Sequence, residues 1–284
     1  MRIGERIRRI EEAEKLDQAV AVVKRMVDRV PEGRLRDVLH GVQLGHPAHP
    51  LLVQVPIGVW TSALLLDLMP GARRPARVLV NVGLLAAVPA ALAGAVDWSR
   101  MRRRHQRVGI VHAAANDVGI LLFGASSLAR ARGRDGLGRA LAMAGMGAVG
   151  LGGMLGAHIA YYRTGGANHA DHLVDLLPSG WHGIGRITDF PDGKAARADL
   201  GDVPLAVVRR DRDVHVLVGT CAHMGGPLFE GEVDGDCLRC PWHGSAFRTA
   251  DGVVAHGPAT AAQQALEVSV HDGAVSVRRP PRLG

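Results

Sequence analysis

Two short segments near the C-terminal end of the chain each carry one cysteine and one histidine. The first reads Cys221-Ala-His223 and the second reads Cys240-Pro-Trp-His243. Thiolates and imidazoles are the ligands that soft and borderline metal ions prefer in proteins. The two segments therefore predict a metal centre with two sulfur and two nitrogen ligands. The glycines and prolines beside them are typical of loops that fold tightly around a metal group: Gly225, Gly226, Pro227, Pro241 and Gly244.

Two kinds of metal centre use this set of ligands. A structural zinc ion takes two cysteines and two histidines, and so does a two-iron, two-sulfide cluster in which imidazoles replace thiolates on one iron. Zinc fingers pair like with like, whereas each segment here pairs a cysteine with a histidine. The spacing therefore favours the iron–sulfur cluster. The third cysteine, Cys237, is interpreted as a strand residue, because Cys240 has the spacing to His243.

At these residues the chain resembles the Rieske [2Fe–2S] family, and the resemblance covers roughly residues 180–280. It includes Gly257-Pro258-Ala259, a sequence that in the family closes over the cluster. The resemblance implies an all-β domain, an antiparallel sandwich with two cluster-binding loops. It also implies that Cys221 and Cys240 bind one iron while His223 and His243 bind the other. Residues expected around these ligands are Gly226, Ser245 and Pro258.

Two departures from the high-potential members of the Rieske family bear on the reduction potential. Those members resemble this chain in the ligands but add a cysteine to each loop, and the added pair forms a disulfide that this sequence lacks. Phe247 stands where they often have a tyrosine that donates a hydrogen bond to a cysteine sulfur, although Ser245 is kept as a donor to a bridging sulfide. Fewer hydrogen bonds to sulfur stabilise the reduced state less, so we expect a ferredoxin-like potential.

Short strands are the elements that position the two segments. β-branched runs at 203–210, 214–220 and 266–277 predict an antiparallel β domain, and the last run folds back on itself at His271-Asp272-Gly273. We place this domain at residues 181–280. A Gly-rich, polar stretch at 166–180 is predicted to be a linker.

Four long apolar stretches precede the linker, at 51–69, 78–97, 108–129 and 140–162. Each is near the ~20 residues that an α-helix needs to cross a bilayer. The fourth contains a single ionisable residue, although a soluble surface helix needs a polar face. The alternative, a soluble helical bundle, is therefore disfavoured, and we predict an all-α, four-helix transmembrane domain at 35–165.

The stretches around His46-Pro-Ala-His49-Pro and Gly94-Ala-Val-Asp97-Trp98 support this prediction. They look like an uncharacterised bacterial family of small membrane domains that is found fused to Rieske domains, and this resemblance covers roughly residues 35–165. It implies no known reaction. The segment 1–34 in front of the membrane domain is predicted to contain one amphipathic surface helix at residues 4–29.

Several polar residues fall inside the apolar stretches. Because successive spans are antiparallel, His49, Asp97, His112 and His158 are predicted to lie at one membrane face. A hydrogen-bonded cluster that orders the helix ends is one interpretation. The other is a b-type haem or metal site, with His112 and His158 as the ligand pair. At the opposite face, Asp67 and Asn81 match in depth and are predicted to bond to each other.

The charge distribution indicates a membrane rather than a nucleic acid. The net charge is +7, but aromatic residues make up only 4% of the chain and the arginines cluster beside the apolar stretches. We therefore predict a lipid bilayer and no nucleic acid among the partners. With no secretory signal visible, the predicted location is the inner (cytoplasmic) membrane, with the β domain on the cytoplasmic side.

Together these features predict a membrane-anchored one-electron transfer protein that exchanges electrons with a redox partner protein or reductase. One alternative is a redox-sensing or assembly module in which the cluster reports oxidation state. Another is a component of a Rieske oxygenase system, which adds a mononuclear iron held by two histidines and a carboxylate. A domain of about a hundred residues is too small for both an oxygenase catalytic domain and a cluster domain.

Overall fold

The computed structural model describes residues 3–280 and divides into two compact units. One unit contains the chain up to Pro31 together with Pro47–Gly165, and the other contains Glu32–His46 together with the chain from Gly166 onwards. The first unit is helical and the second contains every strand found in the described residues. The predicted order, an all-α region followed by an antiparallel β domain, is confirmed.

The helical unit is built around four apolar stretches that are long enough to cross a bilayer. They span Ala48–Leu66, Arg73–Ser99, Arg103–Ala131 and Asp135–Tyr162. Each of the four predicted stretches coincides with one of these spans, which extend beyond the predicted bounds at most ends; the first span ends at Leu66, three residues before its predicted end. The helices of the chain are α1 (Ile3–Glu11), α2 (Asp17–Val27), α3 (Arg34–His40), α4 (Ala48–Leu52), α5 (Gln54–Leu66), α6 (Arg73–Ser99), α7 (Arg103–Ala131), α8 (Asp135–Ala157) and α9 (Asp171–Leu176).

Aromatic rings and glycines fill the centre of this bundle. The ring of Trp60 stacks on Phe123, with the centroids 4.1 Å apart, and its indole N–H donates to the Val80 carbonyl at 3.2 Å. A Cβ on Gly83 would lie 2.2 Å from the Trp60 Nε1 atom, so only glycine lets α6 approach the indole this closely. The bundle core therefore depends on side-chain shape as well as on hydropathy.

The prediction of one N-terminal helix at residues 4–29 is wrong, because a 3₁₀ turn at Glu14–Leu16 separates α1 from α2. Glu11 pairs with Arg163, while Asp17 accepts hydrogen bonds from Arg107 at 2.7 and 2.8 Å. In one continuous helix, residues six positions apart point about 120° away from each other. The break allows both carboxylates to reach arginines of the same bundle.

The predicted bond between Asp67 and Asn81 is also wrong. Asp67 instead accepts two hydrogen bonds from the Arg130 guanidinium, at 2.6 and 2.5 Å, and Asn81 accepts one from Ser127 at 2.5 Å. The two residues were paired because they lie at the same predicted depth in the membrane. The helices are rotated so that each side chain faces a different neighbour. A buried carboxylate is also better compensated by a guanidinium than by an amide.

The second unit is a two-sheet β domain. One sheet has the strand order β1-β10-β9-β4-β3-β2 and the other has the order β5-β6-β7-β8, and all ladders are antiparallel. The strands are β1 (His182–Arg186), β2 (Ala195–Leu200), β3 (Val203–Arg210), β4 (Asp213–Val218), β5 (Glu232–Asp234), β6 (Cys237–Arg239), β7 (Ala246–Arg248), β8 (Val254–His256), β9 (Ala265–His271) and β10 (Ala274–Arg278). The predicted turn at 271–273 joins β9 to β10, as expected.

Strand β3 buries both of its faces, which is why it reads as an almost continuous apolar run. Val203, Leu205 and Val207 pack into one core cluster, while Ala206 and Val208 pack into a second one. The second core cluster also contains two of the three cysteines and Phe247. One face of β3 therefore packs in the same core cluster as the two candidate cysteine ligands.

Two boundaries differ from the prediction. The predicted linker at 166–180 contains the helix α9, whose Leu173, like Leu177 after it, is buried in the core of the β domain. Residues 35–46, predicted to belong to the membrane domain, group with the β unit instead. In both places buried side chains, which composition alone does not reveal, attach the segment to the β domain.

Candidate metal centre

Two loops with the same hydrogen-bond pattern carry the four candidate ligands. In the first, the Cys221 N–H donates to the Gly226 carbonyl at 2.7 Å and the Gly225 N–H donates to the Cys221 carbonyl at 2.9 Å. In the second, Cys240 and Ser245 form the equivalent bond at 2.8 Å, and Gly244 donates to the Cys240 carbonyl at 3.0 Å. The fourth residue after each cysteine is a glycine with positive φ. Each loop therefore reverses over its own cysteine, as the glycine pattern predicted.

The loops bring the four side chains together. The Cys221 and Cys240 thiols are within hydrogen-bonding contact, and both residues are buried, at 1% and 3% exposure. The rings of His223 and His243 lie 5.0 Å apart between centroids, at an interplanar angle of 85°. Both histidines are half-buried. The sulfur side of the centre is thus inside the domain and the imidazole side is closer to solvent.

The two thiols differ in acidity. Donation of the Cys221 thiol proton to Cys240, reinforced by burial, raises the pKa of Cys221 well above its usual value. Cys240 accepts that hydrogen bond and two more from backbone N–H groups, which lower its pKa to about 7 despite burial. The hydrogen bond from the Cys221 thiol, together with the two backbone donors, therefore favours a thiolate at Cys240, and a thiolate is the form that binds metal.

The surroundings fit a compact two-iron, two-sulfide group. A Cβ on Gly226 would lie 2.9 Å from the Cys240 sulfur, so a larger residue would press on that ligand. The Nδ1 atom of His223 is buried although its residue is half-exposed. Among residues 3–280 no group of three or more His, Cys, Asp or Glu side chains is arranged to hold one metal ion. A Rieske centre takes two protein ligands on each iron, so the set of two thiols and two imidazoles matches it.

Ser245 and Pro258, predicted to surround the ligands, are both buried here. The Ser245 Oγ accepts a hydrogen bond from the Ala259 N–H at 3.0 Å and thereby ties the second loop to the Gly257-Pro258-Ala259 segment. The Ser245 oxygen is the acceptor in this bond, so its hydroxyl proton can still be donated to another group. Phe247 is fully buried beneath the loop and supplies no hydroxyl group.

Gln263, which the sequence analysis did not single out, anchors the first loop. Its side chain is 2% exposed, accepts a hydrogen bond from the Ala222 N–H at 3.0 Å, and donates to the Val218 and Thr220 carbonyls at 2.7 Å each. It therefore holds the backbone on both sides of Cys221. A buried glutamine has no signature in a single sequence, so no signal was available to find it.

A segment that the sequence assigned to the membrane half holds the Gly257-Pro258-Ala259 segment in place. The Asp37 carboxylate in α3 accepts hydrogen bonds from the Gly257 N–H at 2.9 Å and from His256 Nδ1 at 3.0 Å. A Cβ on Gly257 would lie 3.0 Å from the ring of His40, which is almost fully buried. The Gly257-Pro258-Ala259 segment is thus held by Asp37 at one end and by Ser245 at the other.

In the helical unit, the predicted polar residues are not all brought together. His49 and His112 approach each other, with ring centroids 6.3 Å apart, and Asn116 lies against His112. His158 instead bonds to Glu11 at 2.7 Å through Nε2 and stacks on Tyr162. Asp97 is half-buried near the end of α6. The pairing of His112 with His158 as haem or metal ligands stays a prediction.

Asp117, which follows Asn116 near the middle of α7, is a charged residue of this unit that was not among the predicted ones. Its side chain is exposed, and no residue in the described range 3–280 forms an ion pair with it. A carboxylate at such a position is costly in a bilayer. Its charge within an apolar stretch was a visible signal.

Comparison with known proteins matches each unit separately. A family model for the Rieske [2Fe-2S] domain covers residues 180–271, and a family model for a predicted membrane protein, DUF2231, covers residues 45–168. The ferredoxin CarAc of Metapseudomonas resinovorans is 36% identical over 98 residues, which is 34% of this chain and 92% of that protein.

Two further similarities involve oxygenase systems. The probable 3-ketosteroid-9-alpha-monooxygenase, oxygenase component, of Rhodococcus rhodochrous is 40% identical over 80 residues, 28% of this chain but only 20% of that protein. A solved structure titled as the complex of reduced oxygenase and oxidized ferredoxin in carbazole 1,9a-dioxygenase contains a chain with 34% identity. The match covers 37% of this chain and 97% of that one, with a TM-score of 0.34.

Proposed function

The chain belongs to the Rieske [2Fe–2S] family, and from this premise we propose that it is a membrane-anchored one-electron carrier. One observation carries the proposal: the two cysteines of the centre are buried, while the two histidines on the same centre are half-exposed. A centre built this way protects its sulfur side from water and leaves its imidazole side close to a docking partner. That asymmetry suits exchange of electrons with another protein.

The proposed ligands are Cys221 and Cys240 on one iron and His223 and His243 on the other. When bound, a [2Fe–2S] cluster supplies one-electron oxidation and reduction at a potential set by its surroundings. The chain's own contribution is to hold the ligands in place and to exclude water from the thiolates. Gln263 and Gly226 do this for the first loop, and Ser245 does it for the second.

The imidazole edges of His223 and His243 are the proposed exit for electrons. Trp242 stands beside them, 48% exposed, with its ring 6.4 Å from the His243 ring between centroids. An exposed aromatic residue next to a redox centre is a suitable contact for a transient partner. The partner class is a reductase or another redox protein, in line with the likeness to a ferredoxin over nearly that ferredoxin's full length.

The potential is proposed to be ferredoxin-like. No disulfide forms in the described part of the chain, where all three cysteines are free. Phe247 supplies no hydroxyl to a cysteine sulfur, which leaves Ser245 as the side-chain hydroxyl nearest in sequence to the second ligand pair. With fewer hydrogen bonds to sulfur, the reduced cluster is stabilised less than in high-potential relatives.

The helical unit is proposed to anchor the carrier in the cytoplasmic membrane, with the β domain in the cytoplasm. Support comes from the four long apolar helices and from the match to a predicted membrane protein family. Many apolar side chains on these helices are exposed, among them Leu85, Leu121 and Leu151. Exposed leucines on long helices are expected where lipid, rather than water, surrounds them.

Two measurements on the full-length protein test the two parts of this proposal separately. Isolated membranes washed with carbonate should retain the cluster's EPR signal, and its appearance in the soluble fraction would overturn the membrane anchor. The detergent-purified protein should give a reversible reductive titration that fits one electron per chain. A signal that cannot be cycled between oxidised and reduced forms would overturn the carrier function and leave the anchor unaffected.

A further inference from the structure

Two histidines of the helical unit come close together from different helices. His49 lies in α4, at the start of the first apolar stretch, and His112 lies in α7, in the third. Their ring centroids are 6.3 Å apart and their planes are nearly perpendicular, at 80°. Both residues are only half-buried, so the space around the two rings is not sealed by protein.

Each ring is oriented by the same kind of hydrogen bond. His49 Nδ1 donates to the Ala90 carbonyl at 2.8 Å, and His112 Nδ1 donates to the Gly152 carbonyl at 2.7 Å. A carbonyl oxygen only accepts, so Nδ1 carries the proton in both rings and Nε2 of the neutral ring has its lone pair available. Histidines that bind metals are almost always held in this way, with the other ring nitrogen bonded to a carbonyl or carboxylate.

Glycines on the neighbouring helices make room for both rings. A Cβ on Gly94 would lie 2.7 Å from His49 Nδ1, and a Cβ on Gly156 would lie 3.1 Å from His112 Cε1. Asn116 stands over the His112 ring, with its amide nitrogen 3.4 Å from both ring nitrogens, and makes its shorter bond, 2.9 Å, to the His112 carbonyl. Since it is equidistant from the two nitrogens, this amide is not aligned with the Nε2 lone pair.

The separation of the rings matches one way of binding metal. When two imidazoles bind opposite sides of one metal at about 2.0–2.1 Å, their centroids lie roughly 6 Å apart. A tetrahedral site brings them closer and needs further protein ligands. A haem iron takes only its two axial ligands from the protein, because the macrocycle occupies the other four positions. We propose that His49 and His112 are the axial ligands of a haem bound in the helical unit.

This pair differs from the one that depth along the helices suggests, His112 with His158. His158 uses Nε2 to bond Glu11 and stacks on Tyr162, so its metal-binding nitrogen already has a carboxylate partner. His49 has the same Nδ1 anchoring as His112 and keeps Nε2 for a ligand. The proposal concerns the helical unit alone and does not rest on the proposed function of the β domain.

The test uses full-length protein purified in detergent and titrated with haemin, read by its visible spectrum and by haem content. The wild type should bind one haem per chain with a six-coordinate, low-spin spectrum. His49→Ala and His112→Ala should each lose that spectrum and weaken haem retention more than about tenfold. The matched control, His158→Ala, should behave as the wild type. The cluster's EPR signal in each sample reports whether the β domain is intact.

Rescue separates ligand loss from misfolding. In His49→Gly, added imidazole should restore the low-spin spectrum, which a merely misfolded bundle does not do. Failure of the wild type to bind haemin, or stoichiometric copper in its place, would overturn the proposal. So would loss of the spectrum in His158→Ala with retention in His49→Ala, because that result assigns the ligand pair differently.

Discussion

The two compact units use polar and sulfur-bearing side chains in opposite ways. In the β unit, two loops with the same backbone hydrogen bonds point two thiols and two imidazoles at one centre, and buried groups such as Gln263 hold the loops. In the helical unit, most buried polar groups already have a protein partner. Arg130 pairs with Asp67, and Glu11 pairs with Arg163 and His158. The β unit therefore gathers thiols and imidazoles at one place, whereas the helical unit mostly neutralises its own charges.

The difference has a physical origin. A loop of fixed length that reverses over a cysteine places its ligands by backbone hydrogen bonds, so sequence spacing determines geometry. On a long helix, spacing determines depth, but rotation about the axis decides which neighbour a side chain meets.

Removing a candidate ligand should abolish the centre. We expect Cys240→Ser to lose the iron–sulfur absorption and EPR signal completely, because an alcohol does not replace a buried thiolate ligand. The matched control is Cys237→Ser, since Cys237 lies in strand β6 on the same short stretch of chain. Equal loss of the signal in both variants would show that the spacing argument chose the wrong cysteine.

Breaking the buried ion pair of Asp67 and Arg130 should destabilise the helical unit by about 3–5 kcal/mol, because a buried charge loses its hydrogen-bonded partner. The partly exposed Arg139, whose Nε lies 3.8 Å from Asp67, is too far away to replace the two hydrogen bonds from Arg130. Asp67→Leu and Arg130→Met each remove one partner, and the double variant removes both. Thermal unfolding in detergent should show both single variants well below the wild type and the double variant close to it. If the double variant instead loses as much stability as the two single variants combined, the two charges do not compensate each other.

Gln263→Leu should weaken the first cluster loop by about 1–3 kcal/mol, since it leaves the Ala222 N–H and two carbonyls without their partner. The expected readouts are a lower unfolding temperature and faster loss of the cluster to a chelator. Gln264→Leu is the neighbouring control, because within residues 3–280 its side chain bonds only to the adjacent Ala265 carbonyl. If the two variants lose the cluster at the same rate, the anchoring role is refuted.

The reduction potential of the cluster should respond to single hydroxyl groups near its sulfurs. Phe247→Tyr introduces a hydroxyl beneath the second loop, and one hydrogen bond to sulfur of about 1 kcal/mol raises a one-electron potential by about 40 mV. Ser245→Ala should shift the potential in the opposite direction by a similar amount. Voltammetry of both variants measures these shifts, and an unchanged potential in Phe247→Tyr would mean that the hydroxyl does not reach a sulfur.

The same difference between loops and long helices decides which features could be predicted from the sequence. The ligand loops, the turn at 271–273 and the four long helices were predictable, because each depends on local spacing or on an apolar run. Gln263 and Asp37 were not, since a buried side chain that bonds to distant backbone leaves no local pattern. The partner of Asp67 was predicted wrongly for a related reason. Sequence position fixes the depth of a residue along its helix, but packing throughout the bundle decides how the helix is rotated about its axis.

The proposed centre contains two irons and two sulfides held by two thiolates and two imidazoles. The most direct measurement is the iron, acid-labile sulfide and zinc content of anaerobically purified full-length protein, with an EPR spectrum after reduction by dithionite. We predict two irons and two sulfides per chain with a Rieske-type signal. One zinc per chain without iron or sulfide would rule out the iron–sulfur cluster.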